Sequence, residues 1–118
     1  MAAKYKLRFL FDYNSGGCLW SDNDAAYEKF GVGCLDTEIY DMEDNIVEEA
    51  KIKLPVSIRQ RVLDLDKLYS ESLNWNDPAS KSLWNSAQWK SFHEQTRELH
   101  RQIALTLGDD FEVAYKQN

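Results

Sequence analysis

Two apolar stripes in the second half of the chain constrain its fold more than any other feature. The first stripe has spacings of 4, 3, 4 and 4 residues and consists of Ile58, Val62, Leu65, Tyr69 and Leu73. The second has spacings of 3, 4, 3, 4 and 4 residues and consists of Trp89, Phe92, Thr96, Leu99, Ile103 and Leu107. Such spacings place side chains on one face of an α-helix. Because an apolar helix face must be covered, we expect two long helices packed on another layer.

Local signals predict where these helices begin and end. Leu54-Pro55 is expected to open the first helix, because proline suits the first helical turn. Ser86 is the expected N-cap of the second helix, and Gly108 is expected to end it. The segment from Asn74 to Asn85 is predicted to be a loop between them.

The first half of the chain is predicted to be mostly strands. Apolar residues alternate from Lys4 to Tyr13, which indicates a half-buried strand. The other predicted elements are a turn over 14–17, a return strand over 18–20, a capped helical turn over 25–30, a strand over 34–40, a turn over 41–45 with Asn45 as its left-handed residue, and a final strand over 111–115. Strands first, helices after and one strand at the end predict a single α+β domain over 1–118. In it, an antiparallel sheet of about four strands packs against the two helices, with a short final strand.

Acidic residues are concentrated in the first half of the chain. Eleven of the 20 acidic residues lie between Asp12 and Glu49, where Lys29 is the one basic residue, so this stretch carries a net charge of −10. Its densest part, residues 36–49, has seven acids and no base. Ile39, Tyr40, Ile46 and Val47 lie among those acids, which indicates a folded surface and not a disordered tail. A folded acidic surface repels nucleic acid and attracts basic proteins.

Catalytic and metal-binding patterns are weak. His93-Glu94 begins like a zinc-protease motif, but Arg97 stands where the second histidine belongs. We therefore expect His93 and His100 to be solvated or cap-like side chains, and we expect no cofactor and no metal. A small enzyme using His93 or His100 stays open as an alternative, and so does an acidic adaptor or nucleic-acid mimic that inhibits another DNA- or RNA-binding protein.

The remaining composition favours a cytoplasmic protein. No apolar run approaches the roughly 20 residues of a membrane span, and the N-terminus is charged where a signal peptide is apolar. Cys18 and Cys34 lack the spacing of a metal site and are expected to be reduced thiols. Trp20, Trp75 and Trp84 fall at predicted element ends, where each is either a lid on the core or an interface anchor.

From Cys34 to Tyr115 the chain resembles the small bacterial immunity proteins encoded beside polymorphic toxins, including those of contact-dependent growth inhibition systems. The resemblance rests on the acidic segment 38–45, on Leu54-Pro55, on Asp66 and Tyr69 ahead of Leu73-Asn74-Trp75, on Phe92 and Leu99, and on the segment 107–113. The first 33 residues match poorly.

The resemblance implies a protein that binds and neutralises the C-terminal domain of a cognate toxin, with a basic nuclease as the expected toxin. It leaves room for a host translation factor in the complex, and it implies no direct contact with nucleic acid or membrane. The predicted toxin-binding residues are Asp36, Glu38, Tyr40, Asp41, Glu43, Asp44, Glu48, Glu49, Trp20 and Trp75.

Overall fold

The computed structural model describes residues 3–13, 15–73, 75–77 and 82–117. Its elements, in chain order, are β1 (Tyr5–Phe9), β2 (Leu19–Ser21), α1 (Asp24–Phe30), β3 (Ile39–Tyr40), β4 (Ile46–Glu48), α2 (Val56–Glu71), α3 (Ser86–Leu107) and β5 (Phe111–Tyr115). Asn14 of the first predicted turn lies outside the described residues, as do Asn74 and residues 78–81 of the predicted loop.

The strands form two small sheets. β1 lies between β2 and β5, antiparallel to β2 and parallel to β5, and β3 pairs with β4 as a separate antiparallel hairpin. The α+β class and the final strand are therefore confirmed. The strand arrangement differs from the prediction of one antiparallel sheet of about four strands. β1 and β5 are parallel neighbours, so they are joined by a crossover that contains α2 and α3 and not by a hairpin.

The core lies between the three-stranded sheet and the two long helices. Alternation along β1 buries Tyr5, Leu7 and Phe9, as its sequence predicted. Four residues of the second predicted stripe are buried on α3, namely Phe92, Thr96, Leu99 and Ile103. Burying each large apolar side chain contributes about 1.5–3 kcal/mol, so the core that α3 shares with the three-stranded sheet holds the helix on the sheet.

Three of the four helix ends match the sequence signals to within one residue, whereas α2 ends at Glu71, before the predicted loop from Asn74. Gly108 ends α3 with a φ of +82°, as predicted, and Pro55 immediately precedes α2. The predicted cap Ser86 is wrong, because Asn85 is the N-cap. Its side chain accepts a hydrogen bond from the backbone of Gln88 at 2.9 Å, and the Gln88 side chain accepts one from Asn85 N–H at 2.8 Å. These two reciprocal hydrogen bonds satisfy two backbone N–H groups that have no partner within the helix.

The acidic segment contains less strand than predicted. Of the predicted strand over 34–40, only Ile39–Tyr40 forms β3, and Cys34 makes an isolated bridge to Trp20. In the turn, the left-handed residue is Asp44 with a φ of +63°, and not Asn45 as expected. Aspartate tolerates this conformation better than most residues do.

Candidate protein-binding surface

The acidic hairpin, residues 38–49, is the most exposed acidic part of the described fold. Every residue from 39 to 49 is exposed, and Glu38 is half-exposed. The hairpin carries six acids and no base. In the described part of the chain, β3 and β4 pair with each other and with no other strand. The acids therefore stand on an arm that extends from the body of the domain.

Asp41 shapes the turn of the acidic hairpin. Its Oδ1 accepts hydrogen bonds from the backbone N–H groups of Glu43 at 2.8 Å and Asn45 at 2.9 Å. These two backbone donors, Asn45 first, hold the pKa of Asp41 below its ordinary value. Asp41 therefore acts as an internal brace, and its charge is partly committed to the turn.

Asp36 was predicted to contact the toxin, but its side chain is buried where the chain enters the hairpin. We call Asp36 and the groups that contact it the root of the hairpin. Asp36 is 1% exposed, and its Oδ1 accepts hydrogen bonds from Cys18 N–H at 2.9 Å and Leu19 N–H at 3.0 Å. Arg59 Nη1 lies 3.8 Å from Oδ2. A buried charge is tolerated when it is paired and hydrogen-bonded in this way. Asp36 thus belongs to the frame of the hairpin and not to its exposed surface.

A second layer of contacts ties this root to the loop before β2 and to α2. Arg59 donates to the Gly16 carbonyl at 2.8 Å, and Thr37 Oγ1 donates to the Ser15 carbonyl at 2.8 Å. Asp66 accepts hydrogen bonds from Ser15 Oγ and Gly16 N–H, each at 3.2 Å. Burial raises the pKa of Asp66. Two carboxylates and one guanidinium therefore hold the loop from both sides.

Both cysteines contribute to the same root. Cys18 is buried, Cys34 is half-buried, and both are free thiols. Cys34 Sγ lies 3.3 Å from Asp36 Oδ1, and Cys18 Sγ lies 3.7 Å from Oδ2. Burial, followed by the charge of Asp36, raises the pKa of Cys34 to about 12 and raises that of Cys18 well above its usual range. Both groups are therefore neutral thiols at physiological pH.

The three tryptophans outside the helices have different environments. Trp20 is half-buried beside the root and donates from Nε1 to the Leu10 carbonyl at 3.0 Å. Trp84 packs against Trp89 at 4.7 Å between ring centres and belongs to the core margin. Trp75 is 55% exposed and lies just beyond the end of α2. Of the two tryptophans predicted to bind the toxin, Trp20 lies beside the hairpin root, whereas Trp75 contacts the Tyr13 ring and donates from Nε1 to the Ser70 carbonyl at 2.9 Å.

The two histidines were expected to be solvated or cap-like, whereas both are half-buried contacts between α3 and β5. His93 Nδ1 lies 3.1 Å from the Tyr115 hydroxyl, and His100 Nε2 donates to the Val113 carbonyl at 2.6 Å. Both side chains are half-buried and join α3 to β5. Periodicity placed them beside the apolar stripe, but their partners on β5 come from tertiary packing.

The described residues contain no group of three or more histidine, cysteine or acidic side chains arranged to hold a metal ion. None of the described helices is both long and apolar enough to cross a membrane.

Fold and surface together define an α+β domain with an exposed acidic hairpin fixed on a buried polar root. The family model described as Serratia CdiI immunity protein-like matches residues 6–118. The chain therefore belongs to this family of immunity proteins, and the match includes most of the first 33 residues, where the resemblance was poor. A search of curated proteins found no match.

Proposed function

We propose that this immunity protein protects its cell by binding the C-terminal domain of a cognate toxin through the acidic hairpin. The observation that carries the proposal is that every residue from 39 to 49 is exposed, in a hairpin with six acids and no base. An array of this sign attracts a basic surface and raises the rate of encounter. The class of protein supports a protein partner, since immunity is the role of its family.

The expected partner surface is the substrate-binding cleft of a nuclease. Such a cleft must be basic, because phosphate backbones are held mainly by lysine and arginine. The carboxylates of the hairpin would pair with the same lysines and arginines, so the hairpin and nucleic acid would compete for the cleft. We place this event in the cytoplasm, where a toxin that acts on nucleic acid meets its substrate. A host translation factor joins the complex only if the toxin itself requires one.

The structure identifies which acids test the proposal cleanly. Asp41 braces the turn and Asp44 is its left-handed residue, so changing either alters the backbone. Glu49 already pairs with Lys53 at 3.0 Å. Glu43 and Glu48 are exposed. Their side chains neither brace the turn nor pair with Lys53, and neither residue is the left-handed one.

The test combines Glu43→Lys with Glu48→Lys and measures association with the purified toxin domain over a salt series. We expect the association rate constant to fall at least about tenfold at low ionic strength, with a smaller change at high salt, because screening weakens exposed charges. The matched control reverses Asp109 and Asp110, two exposed acids between α3 and β5. Circular dichroism checks that each variant is folded.

An unchanged association rate at every salt concentration would remove the acidic hairpin from the interface. Protection of cells that express the toxin provides the second measurement. Cells carrying the hairpin variant should lose protection, and cells carrying the control variant should keep it. If the wild-type protein instead captures an unrelated DNA-binding protein and does not bind the toxin, the adaptor alternative replaces the proposal.

A further inference from the structure

The acidic hairpin also exposes an unusual amount of apolar surface. The exposed fractions are 47% for Ile39, 52% for Tyr40, 103% for Met42, 49% for Ile46 and 61% for Val47. Single exposed apolar residues are ordinary on a monomer, but a contiguous group on one projecting element marks an interaction surface.

Pairing within the hairpin gathers part of this apolar surface. Tyr40 and Ile46 are cross-strand partners, so their side chains lie on the same face. Met42 occupies the turn beside them, and Asp41 fixes that turn through its two backbone hydrogen bonds. A two-stranded hairpin is marginally stable alone. This one is held at its entry by buried Asp36 and at its exit by buried Ala50 and Ile52.

We propose that Tyr40, Met42 and Ile46 form an apolar anchor that inserts into an apolar groove of the toxin domain, with lysines and arginines on the rim of that groove. The proposal rests on the proposed function and adds the chemistry of the partner surface. The anchor lies among six carboxylates, so its groove must place positive charge around an apolar floor. Apolar burial slows dissociation, whereas the surrounding acids speed association.

Charge complementarity favours a basic protein on this surface over a second copy of this chain, nucleic acid or anionic lipid. A second copy of this chain would bring two sets of six carboxylates together, with no base in either hairpin. Like charges placed opposite each other across an interface cost binding energy and suppress such pairing. Nucleic acid and anionic lipid are repelled for the same reason. A basic toxin domain removes this repulsion and covers the apolar side chains.

The anchor is tested by Met42→Ala combined with Ile46→Thr, which keeps a β-branched residue in β4. With the purified toxin domain, we expect the dissociation rate constant to rise at least about tenfold, while the association rate constant changes less than about threefold. Leu105→Ala is the matched control, because Leu105 is 71% exposed on α3. Met42→Ala alone is the second variant, since a side chain that is fully exposed contributes little to folding.

The outcomes separate the anchor from the proposed function. If both anchor variants dissociate at the wild-type rate while Glu43→Lys with Glu48→Lys still slows association, the anchor is wrong and the proposed function stands. If the wild-type protein does not bind the toxin domain, the proposed function fails and the anchor fails with it. Sedimentation equilibrium tests whether a second copy of this chain covers the apolar surface instead. Self-association that the anchor variants abolish, without a change in toxin binding, would assign the apolar surface to a second copy and overturn the anchor.

Discussion

Asp36 offers the sharpest test of how the acidic hairpin is held, because one carboxylate there serves several buried partners. Replacing it with alanine removes the acceptor for Cys18 N–H and Leu19 N–H, which lie 2.9 and 3.0 Å from Oδ1. It also removes the carboxylate that lies 3.8 Å from Arg59. The change leaves buried donors without a partner while creating a small void, and both effects lower the free energy of unfolding.

The magnitude follows from the groups that lose their partner. A buried donor left unsatisfied costs about 1–3 kcal/mol, and removing one member of a buried ion pair costs about 3–5 kcal/mol. These terms overlap because they describe the same carboxylate, so we expect Asp36→Ala to cost about 3–5 kcal/mol. Asp36→Asn keeps one oxygen for the two backbone donors, but it loses the charge and replaces Oδ2, which faces Arg59, with an amide NH2. Its expected cost is about 1–2 kcal/mol.

Urea unfolding monitored by tryptophan fluorescence measures both costs, with the linear dependence on denaturant giving each free energy of unfolding. Glu43→Ala is the control, and as an exposed substitution it should change stability by less than about 0.5 kcal/mol. Equal costs for Asp36→Ala and Asp36→Asn would refute the role assigned to the backbone hydrogen bonds. A cost below about 1 kcal/mol for Asp36→Ala would refute the buried root altogether.

Three further predictions concern the same frame and the helix behind it. Gly17→Ala should lower the free energy of unfolding by at least about 2 kcal/mol in the same urea assay. The reason is that an added Cβ would lie 2.5 Å from Asp36 Oδ1 and 2.7 Å from Cys34 Sγ. A loss below about 0.5 kcal/mol would show that the side chains of the root shift at little cost. Because burial raises the pKa of Cys34 from 9.0 to about 12, the unfolded chain releases this proton while the native state keeps it. Stability should therefore fall as pH rises between these values, and Cys34→Ala should show a shallower fall in urea midpoint than the wild type. His93→Ala with His100→Ala should cost about 1–2 kcal/mol through the lost contacts with β5 yet keep protection against the toxin; loss of protection at equal amounts of folded protein would favour the enzyme alternative.

The helices and the first strand were predictable because their signals are local. The stripe from Ile58 to Leu73 and the stripe from Trp89 to Leu107 repeat at helical spacing. α3 covers the whole second stripe, and α2 covers the first as far as Tyr69, with Leu73 just beyond its end. Alternation from Tyr5 to Phe9 similarly placed β1. In each case the pattern that indicates the element is the same pattern that the core then buries.

The pairing of β5 was outside the reach of these local signals. Alternation identifies a strand, but it carries no direction, and β5 pairs with β1 across a separation of 106 residues, as in Tyr5 with Phe111. The parallel arrangement depends on how α2 and α3 return the chain. The same reason explains the histidine contacts, since the Val113 carbonyl that accepts from His100 is positioned by this strand.

Charge counting located the acidic segment, but it could not assign its members to different roles. Asp36 is buried because its donors come from residues 18 and 19 on one side and from Arg59 on the other. Asp41 is committed to the backbone of its own turn. Glu43 and Glu48 remain exposed charges. These four acids look equivalent in the sequence, and only the tertiary contacts separate them.

This separation decides how a loss of binding should be interpreted. The acidic hairpin pairs only within itself in the described fold, so its orientation depends on the root that Asp36 and Arg59 hold. A variant at Asp36 should therefore weaken toxin binding together with stability, through a misplaced hairpin. A variant at Glu43 or Met42 should weaken binding while the free energy of unfolding stays unchanged. Measuring both quantities on each variant distinguishes residues that position the hairpin from residues that contact the partner.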